Sequence, residues 1–379
     1  MKRLRLPTYE DAKKLVQEKG ELVFYESIRY IDTDFKISVF NYRLPQYSDF
    51  IHDEIDYREM RGLTFVFNKD GSLYKRFLLM KKFWNVNQVP ESMYHVIKDY
   101  TQKSCYNKED GSLISFIQLP NGKVVTKTKM GFDNEQTIDA ENIYNTNSAI
   151  KEFVNWCLDN DIVSMWEFVS FKNRIVLNYD KANLILLRLR DNKTGDYLDI
   201  EEYRDKGFAI AEQENYTLDE FIELSETLTD KEGCVFTMTD EFDNFWTFKQ
   251  KTQWYFNLHR LISDLELENT VIKLILDDKI DDTKSTLDIN SHKMIFITDI
   301  EEKLNIFIKN TYLEIKKLLS DYENHNKKSF ALKYRKHKFF GMIMYIINKD
   351  ADIYEVIKKH ILKETSKLQK AREFLDLIE

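Results

Sequence analysis

Two β-prone segments meet within residues 106–116, which read Tyr-Asn-Lys-Glu-Asp-Gly-Ser-Leu-Ile-Ser-Phe, and their junction constrains the fold more than any other stretch. A strand arriving at Tyr106 and leaving through residues 113–118 predicts a tight turn at Asp110-Gly111, because glycine reaches positive φ without steric cost. Lys108 would stand at the base of that hairpin, beside Glu109 and Asp110. The chain carries its own comparison at residues 68–77, where Lys69-Asp70-Gly71-Ser72 joins two alternating apolar segments. Asp-Gly by itself therefore signals only a hairpin. What differs is spacing: Lys69 abuts its aspartate, whereas Lys108 lies two residues before Asp110.

A chain of 379 residues with 43% hydrophobic content can bury a sizeable core, and its length predicts two domains or one large domain with an appendage. Only 4 prolines and 10 glycines stand against 26 Phe and 21 Tyr, which leaves little room for disordered linkers. Cys105, Cys157 and Cys234 are odd in number and share no Cys-x-x-Cys spacing, so they read as buried free thiols of a reducing cytoplasm. Residues 1–5 are basic, but the polar residues from Thr8 onward replace the apolar core of a signal peptide, and no run reaches membrane-spanning length. A net charge of −8 argues against indiscriminate nucleic-acid binding while leaving room for local basic surfaces.

Taken in order, Thr8 and Asp11 cap a short helix that Gly20 stops. Arg61 sits at the mouth of a strand that leads into the residue 68–77 hairpin, and Lys81 and Lys82 precede Phe83-Trp84-Asn85. Asn121-Gly122 predicts another hairpin, with Lys123, Val125, Lys127 and Lys129 on one strand face, either solvated or turned toward phosphate. Residues 148–158 place Ile150, Phe153, Val154, Cys157 and Leu158 on one helical face, and this helix is expected to separate the hairpins from a second sheet. That sheet includes residues 164–169, where Glu167 interrupts an apolar strand at a cost only a partner can offset, then residues 174–179 and 184–189. Thr217 and Glu220 form a capping box for a helix to about Leu228. Glu232-Gly233 leads the next strand, and Lys249 and Lys251, two apart, project from one face of the last, where an anion between them would relieve their repulsion. Beyond about Arg260 helical spacing takes over. Thr298 and Glu301 are read as a cap for a helix lined by Leu304, Phe307, Ile308, Ile315 and Leu318. Helices at about 338–348 and 353–377 follow, with Lys327, Lys328, Lys333, Arg335, Lys336 and Lys338 as a basic cluster. The fold class is α+β: antiparallel sheets with helices over residues 1–260, then an all-α domain over 261–379.

In order, Lys108-Glu109-Asp110-Gly111-Ser112, Trp166-Glu167-Phe168-Val169, Glu232-Gly233-Cys234-Val235 and Phe248-Lys249-Gln250-Lys251 resemble motifs I, III, IV and V of the covalent nucleotidyltransferases. Within that superfamily the chain resembles the phage RNA ligase 1 family through Met60-Arg61-Gly62, Lys82-Phe83-Trp84-Asn85, Asn173-Arg174-Ile175-Val176-Leu177 and Lys251-Thr252-Gln253-Trp254-Tyr255. The likeness covers roughly residues 40–255. It departs where Trp84 replaces the usual phenylalanine, and residues 1–37 show little similarity.

The resemblance implies an adenylation domain and an ATP-dependent ligase that joins RNA 5′-phosphate to 3′-hydroxyl ends. Lys108 would carry AMP, Glu167 and Glu232 would contact nucleotide and metal water, and Lys249 and Lys251 would stabilise the transferring phosphate. Tyr42, Arg61, Lys82, Trp84, Asp110, Gly111, Lys129, Gly233 and Tyr255 would form the ATP site, with Lys127 the rival of Lys129. Asp281-Asp282 resembles a metal-holding pair of the helical domain, and equally reads as an acidic helix end; magnesium, with manganese as substitute, suits such hard oxygens. The chemistry agrees: a lysine of pKa about 10.4 is neutral in roughly one molecule in 2,500 at pH 7, so it needs cations or burial nearby to act as a nucleophile. The implied partners are RNA, above all tRNA broken in its anticodon loop, and an end-healing polynucleotide kinase/phosphatase. The implied setting is a monomer in the cytoplasm, a phage host's included. Competing readings are a DNA ligase or capping-type enzyme, which would carry an OB-fold rather than helices after motif V, and a catalytically idle RNA-binding protein, which would be expected to have lost some of the five motif residues.

Overall fold

The structure, a computed structural model, describes residues 4–31, 34–170, 181–255, 267–284, 287, 292–322 and 326–378. Period-two alternation builds the first sheet from β1 (Phe24–Ile31), β2 (Phe35–Tyr42), β3 (Leu63–Phe67) and β4 (Leu73–Phe77), each antiparallel to the next. On β2, Ile37 and Val39 enter the central core, while Phe40 and Tyr42 face the opposite way with Phe65 and Phe67. That outer face is covered by α1 (Tyr9–Lys19), which Thr8 and Asp11 cap reciprocally and which buries Ala12 and Leu15. Residues 69–72 close the β3–β4 hairpin as the sequence predicts, with Gly71 at φ +84°.

After β5 (Trp84–Asn85), α2 (Tyr94–Ile97) and β6 (Thr101–Asn107), the chain passes through residues 108–111 into β7 (Ser112–Gln118). The predicted hairpin is not there. β6 and β7 belong to different sheets, so Lys108 lies on a crossing between them. Nor does Gly111 adopt positive φ. A Cβ at that position would stand 2.3 Å from the Phe168 carbonyl oxygen and 3.0 Å from Glu167 Cγ, so glycine is required for space. An Asp-Gly pair can answer either need, and sequence does not say which.

The second sheet takes β7, β8 (Val124–Lys127), β9 (Ile162–Val169), β10 (Asn183–Asp191), β11 (Tyr197–Leu198) and β12 (Ala209–Ile210), in the order β11-β10-β9-β7-β8 with β12 parallel to β10. Between β8 and β9 come α3 (Glu135–Thr146) and α4 (Ser148–Asp159); the five residues expected on α4's apolar face are all buried. The helix does not separate two sheets, however, because β9 pairs directly with β7. Residues 171–180, which hold the expected strand at 174–179 and the Asn173–Leu177 motif, lie outside the described residues. Then α5 (Leu218–Leu224), with its Thr217–Glu220 box, stops four residues short of Leu228. β13 (Gly233–Thr239) and β14 (Phe245–Lys251) complete a third sheet ordered β5-β14-β13-β6. All three cysteines are free and buried.

The chain divides into two compact units, residues 1–258 and 259–379. In the second, the described residues form α6 (Glu268–Leu276), α7 (Ile280–Lys284), α8 (His292–Tyr322), α9 (Lys327–Tyr334), α10 (Phe340–Lys349), α11 (Ile353–Glu364) and α12 (Leu368–Leu377). Thr298 lies inside α8 and caps nothing, since the preceding residues continue the helix. Leu304, Ile308 and Ile315 are buried, with Phe307 and Leu318 half-buried. The single helix expected over 353–377 breaks between Glu364 and Leu368. No described helix is long and apolar enough to cross a membrane.

Candidate active site

The crossing from β6 to β7 holds Lys108 against the start of β13. Its backbone N–H donates to the Gly233 carbonyl at 2.9 Å, and its Nζ stands 2.7 Å from Glu232 Oε1. The same oxygen receives Lys251 Nζ at 2.9 Å, because Gly233 is the register partner of Lys251 across β13 and β14. Gly233 permits this closeness: a Cβ there would lie 2.2 Å from the Gln250 carbonyl oxygen. Burial alone would push the Glu232 carboxyl up, but Lys108 and Lys251 outweigh it and hold it below the usual carboxylate range.

Glu167 approaches from β9, opposite Leu113. Burial pushes its carboxyl up to about 8; Lys108 opposes the rise, while Glu232, Glu109 and Asp110 reinforce it. Buried Asp110 accepts a hydrogen bond from the Tyr255 hydroxyl at 3.2 Å, and Lys251 Nζ lies 4.6 Å from the Tyr255 ring centre. One locus thus gathers Lys108, Asp110, Gly111, Glu167, Glu232, Gly233, Lys251 and Tyr255.

A second cluster begins beside β14. Trp84 and Asn85 pair in parallel with Phe248 and Lys249, and Lys249 Nζ lies 6.0 Å from the Phe83 ring centre. Lys82 Nζ sits 5.4 Å from the ring centre of Tyr42 and 4.7 Å from that of Trp84, while Lys129 Nζ is 5.2 Å from the same Tyr42 ring. Lys127 and Lys129 therefore part company. Lys127 is fully enclosed, donates to the Gly62 carbonyl at 3.2 Å, and is pushed down to about 7 by burial, with neighbouring Arg61 adding to the effect. Arg61 donates to the Met80 carbonyl at 3.1 Å.

Asp281 lies on α7 in the second unit, and the side chain of Asp282 is outside the described residues. Among the described residues no group of three or more His, Cys, Asp or Glu is assembled to hold a metal. Sequence reading missed Glu91, which accepts from Trp84 Nε1 at 2.9 Å, and the buried pair of Glu59 and Arg190, 2.5 Å apart. Only the buried indole N–H, which requires an acceptor, hinted at the first.

The model of a family described as RNA ligase matches residues 59–255, more than half of the chain. The chain belongs to the phage RNA ligase 1 family. It is also 28% identical over 260 residues, 65% of this chain and 67% of the other, to a Thermovibrio ammonificans protein named "Putative RNA ligase". Among solved structures, an archaeal ATP-dependent RNA ligase superposes with a TM-score of 0.46 at 13% identity, covering 79% of this chain and 78% of that one. An RNA ligase of Naegleria gruberi, solved as a mutant with ATP and Mn, gives a TM-score of 0.36 at 14% identity over 48% and 58% of the two chains. The family match covers the lysine crossing, Glu167, Glu232 and both β14 lysines.

Proposed function

We propose that this RNA ligase works through covalent lysyl-AMP, with Lys108 as nucleophile. The observation that carries the reading is the Glu232 carboxylate shared by Lys108 at 2.7 Å and Lys251 at 2.9 Å. Lys108 Nζ attacks the α-phosphorus of ATP, an N–P bond forms, and the anhydride bond to diphosphate breaks. Lys108 attacks as the neutral amine after its ammonium proton passes to solvent; Glu232, kept ionised by the two lysines, orients it, and Lys251 and Lys249 meet charge on the transferring oxygens. An RNA 5′-phosphate then attacks the same phosphorus and frees the lysine; finally an RNA 3′-hydroxyl displaces AMP and seals the strand.

Tyr42, Arg61, Lys82, Trp84 and Lys129 serve the nucleotide, and Asp110 fixes Tyr255. The carboxylates crowded around Lys108, whose mutual repulsion helps raise Glu167, suit a hard cation bound through one or two oxygens and substrate phosphates. Glu232 and Glu167 are the side chains that would approach bound magnesium, and the ion supplies neutralisation of phosphate charge. Asp281 and Asp282 are assigned a further metal role in the helical unit. That unit selects structured RNA through its basic cluster, which supports a role in repairing tRNA broken in the anticodon loop. Such an enzyme acts as a cytoplasmic monomer after a kinase/phosphatase has prepared the ends.

Incubation with α-labelled ATP and magnesium, followed by denaturing electrophoresis, tests the chemistry. The protein should label itself with ATP but not GTP, Lys108→Ala should abolish the label, and Lys69→Ala should retain it. Label persisting in Lys108→Ala would overturn the assignment.

A further inference from the structure

The seat of Lys82 is built by a residue that touches no substrate in the reading above. Trp84 is 5% exposed, and its Nε1–H donates to Glu91 Oε1 at 2.9 Å. The Tyr47 hydroxyl donates to Oε2 of the same carboxylate at 2.6 Å, and Arg58 Nη1 stands 3.8 Å from Oε1 as a balancing charge. Glu91 reaches this place by a turn that closes on itself: Asn87 N–H donates to the Ser92 carbonyl at 2.8 Å, and the Val89 N–H to Ser92 Oγ at 3.0 Å. Tyr47 and Phe50 meet the indole edge-on at 5.8 and 5.6 Å, closing off its rotation.

The indole so fixed faces Lys82, whose Nζ is 4.7 Å from its ring centre and 5.4 Å from that of Tyr42. A lysine head group on four flexible methylenes can sample many positions. Between two aromatic rings it gains a cation–π attraction that depends on both rings staying in place. β5, being two residues long, cannot hold the tryptophan ring by backbone pairing alone.

We propose that Glu91 is a positioning residue for the ATP step: by hydrogen-bonding Trp84 it fixes the indole that holds the Lys82 ammonium where the phosphates of the nucleoside triphosphate bind. The inference rests on the reading of Lys82 as a nucleotide contact. Glu91→Gln keeps the side-chain shape but offers one acceptor oxygen to two donors, and Trp84→Phe keeps an aromatic ring without the N–H.

The test measures KM for ATP and the maximal rate of self-adenylylation in the full chain, for Glu91→Gln, Trp84→Phe, the double variant and Lys82→Ala. KM reports on the folded molecules whatever fraction has unfolded. Each of the first two should raise KM by about five- to tenfold, the worth of one charged hydrogen bond partly lost. For Glu91→Gln the maximal rate should stay within about twofold. The double variant should be no worse than Trp84→Phe by more than about twofold, because the two substitutions break one link. Lys82→Ala should raise KM at least as far. If the single effects multiply in the double variant, or Glu91→Gln leaves KM unchanged while Lys82→Ala raises it, the positioning role falls alone. If Lys82→Ala leaves KM unchanged, the nucleotide reading of Lys82 fails and takes this inference with it.

Discussion

Lys127 shows how one side chain ties local burial to a pH-dependent stability. Its ordinary pKa of 10.5 is pushed down to about 7 by burial and by Arg61. Below pH 7 the folded protein carries a buried ammonium and bears the full penalty. Between pH 7 and 10.5 the folded state holds fewer protons than the unfolded chain, so this group makes stability rise with pH until both states are neutral. Glu167 works the other way: raised from 4.5 to about 8, it favours the fold at low pH and loses that contribution as pH climbs from about 4.5 to 8. Comparing a Lys127 variant with its parent cancels the Glu167 contribution. Lys127→Met should therefore stabilise the protein at pH 6 more than at pH 10, by at most ~5 kcal/mol, and raise its melting temperature correspondingly more at pH 6. The loss of its bond to the Gly62 carbonyl is common to both pH values. Thermal melts of both proteins at the two pH values check this, and equal shifts would contradict it.

At the scale of elements, two Asp-Gly-Ser sequences make different connections. Residues 69–72 reverse the chain within one sheet, where Gly71 has φ +84° and open space around its missing Cβ. Residues 108–111 carry the chain between sheets, where Gly111 has ordinary φ and is pressed against the backbone of β9. Gly71→Ala should cost about 1 kcal/mol by denaturant unfolding and leave self-adenylylation intact, since only local backbone strain is added. Gly111→Ala must push residues 108–112 away from Phe168, carrying Lys108 out of line with Glu232. Its rate of self-adenylylation should fall by about a hundredfold, as a misplaced reacting atom loses orientation. Normal labelling by Gly111→Ala would show that the crossing tolerates movement.

Across the whole molecule, chemistry and substrate choice are assigned to different units. The basic cluster is not uniformly available: Lys333 pairs with Asp321 at 2.8 Å and Lys338 with Glu314 at 3.2 Å. Neutralising Lys333, Arg335 and Lys336 together should leave self-adenylylation unchanged. Sealing of a nicked tRNA anticodon loop should drop by about tenfold more than sealing of unstructured RNA, with a shallower salt dependence. Parallel sealing assays on the two RNAs at two salt concentrations decide it, and equal losses on both would refute tRNA selection by this cluster.

Sequence by itself determined what depends on neighbours along the chain. The capping boxes at Thr8 and Thr217, the hairpins at Gly71 and Gly122, the buried stripe of α4 and the change to helices after the third sheet are all local patterns, and four ordered motifs were enough to indicate the family. Tertiary structure decided what depends on distant partners. That β9 pairs with β7, that Lys108 lies on a crossing instead of a hairpin, and that Lys127 is enclosed while Lys129 lies by Tyr42 follow from strand pairing over long separations. Alternation gives a strand its faces but not its neighbour. Glu91 was invisible for the same reason: a buried N–H declares that an acceptor is needed, and only the folded chain shows which carboxylate supplies it.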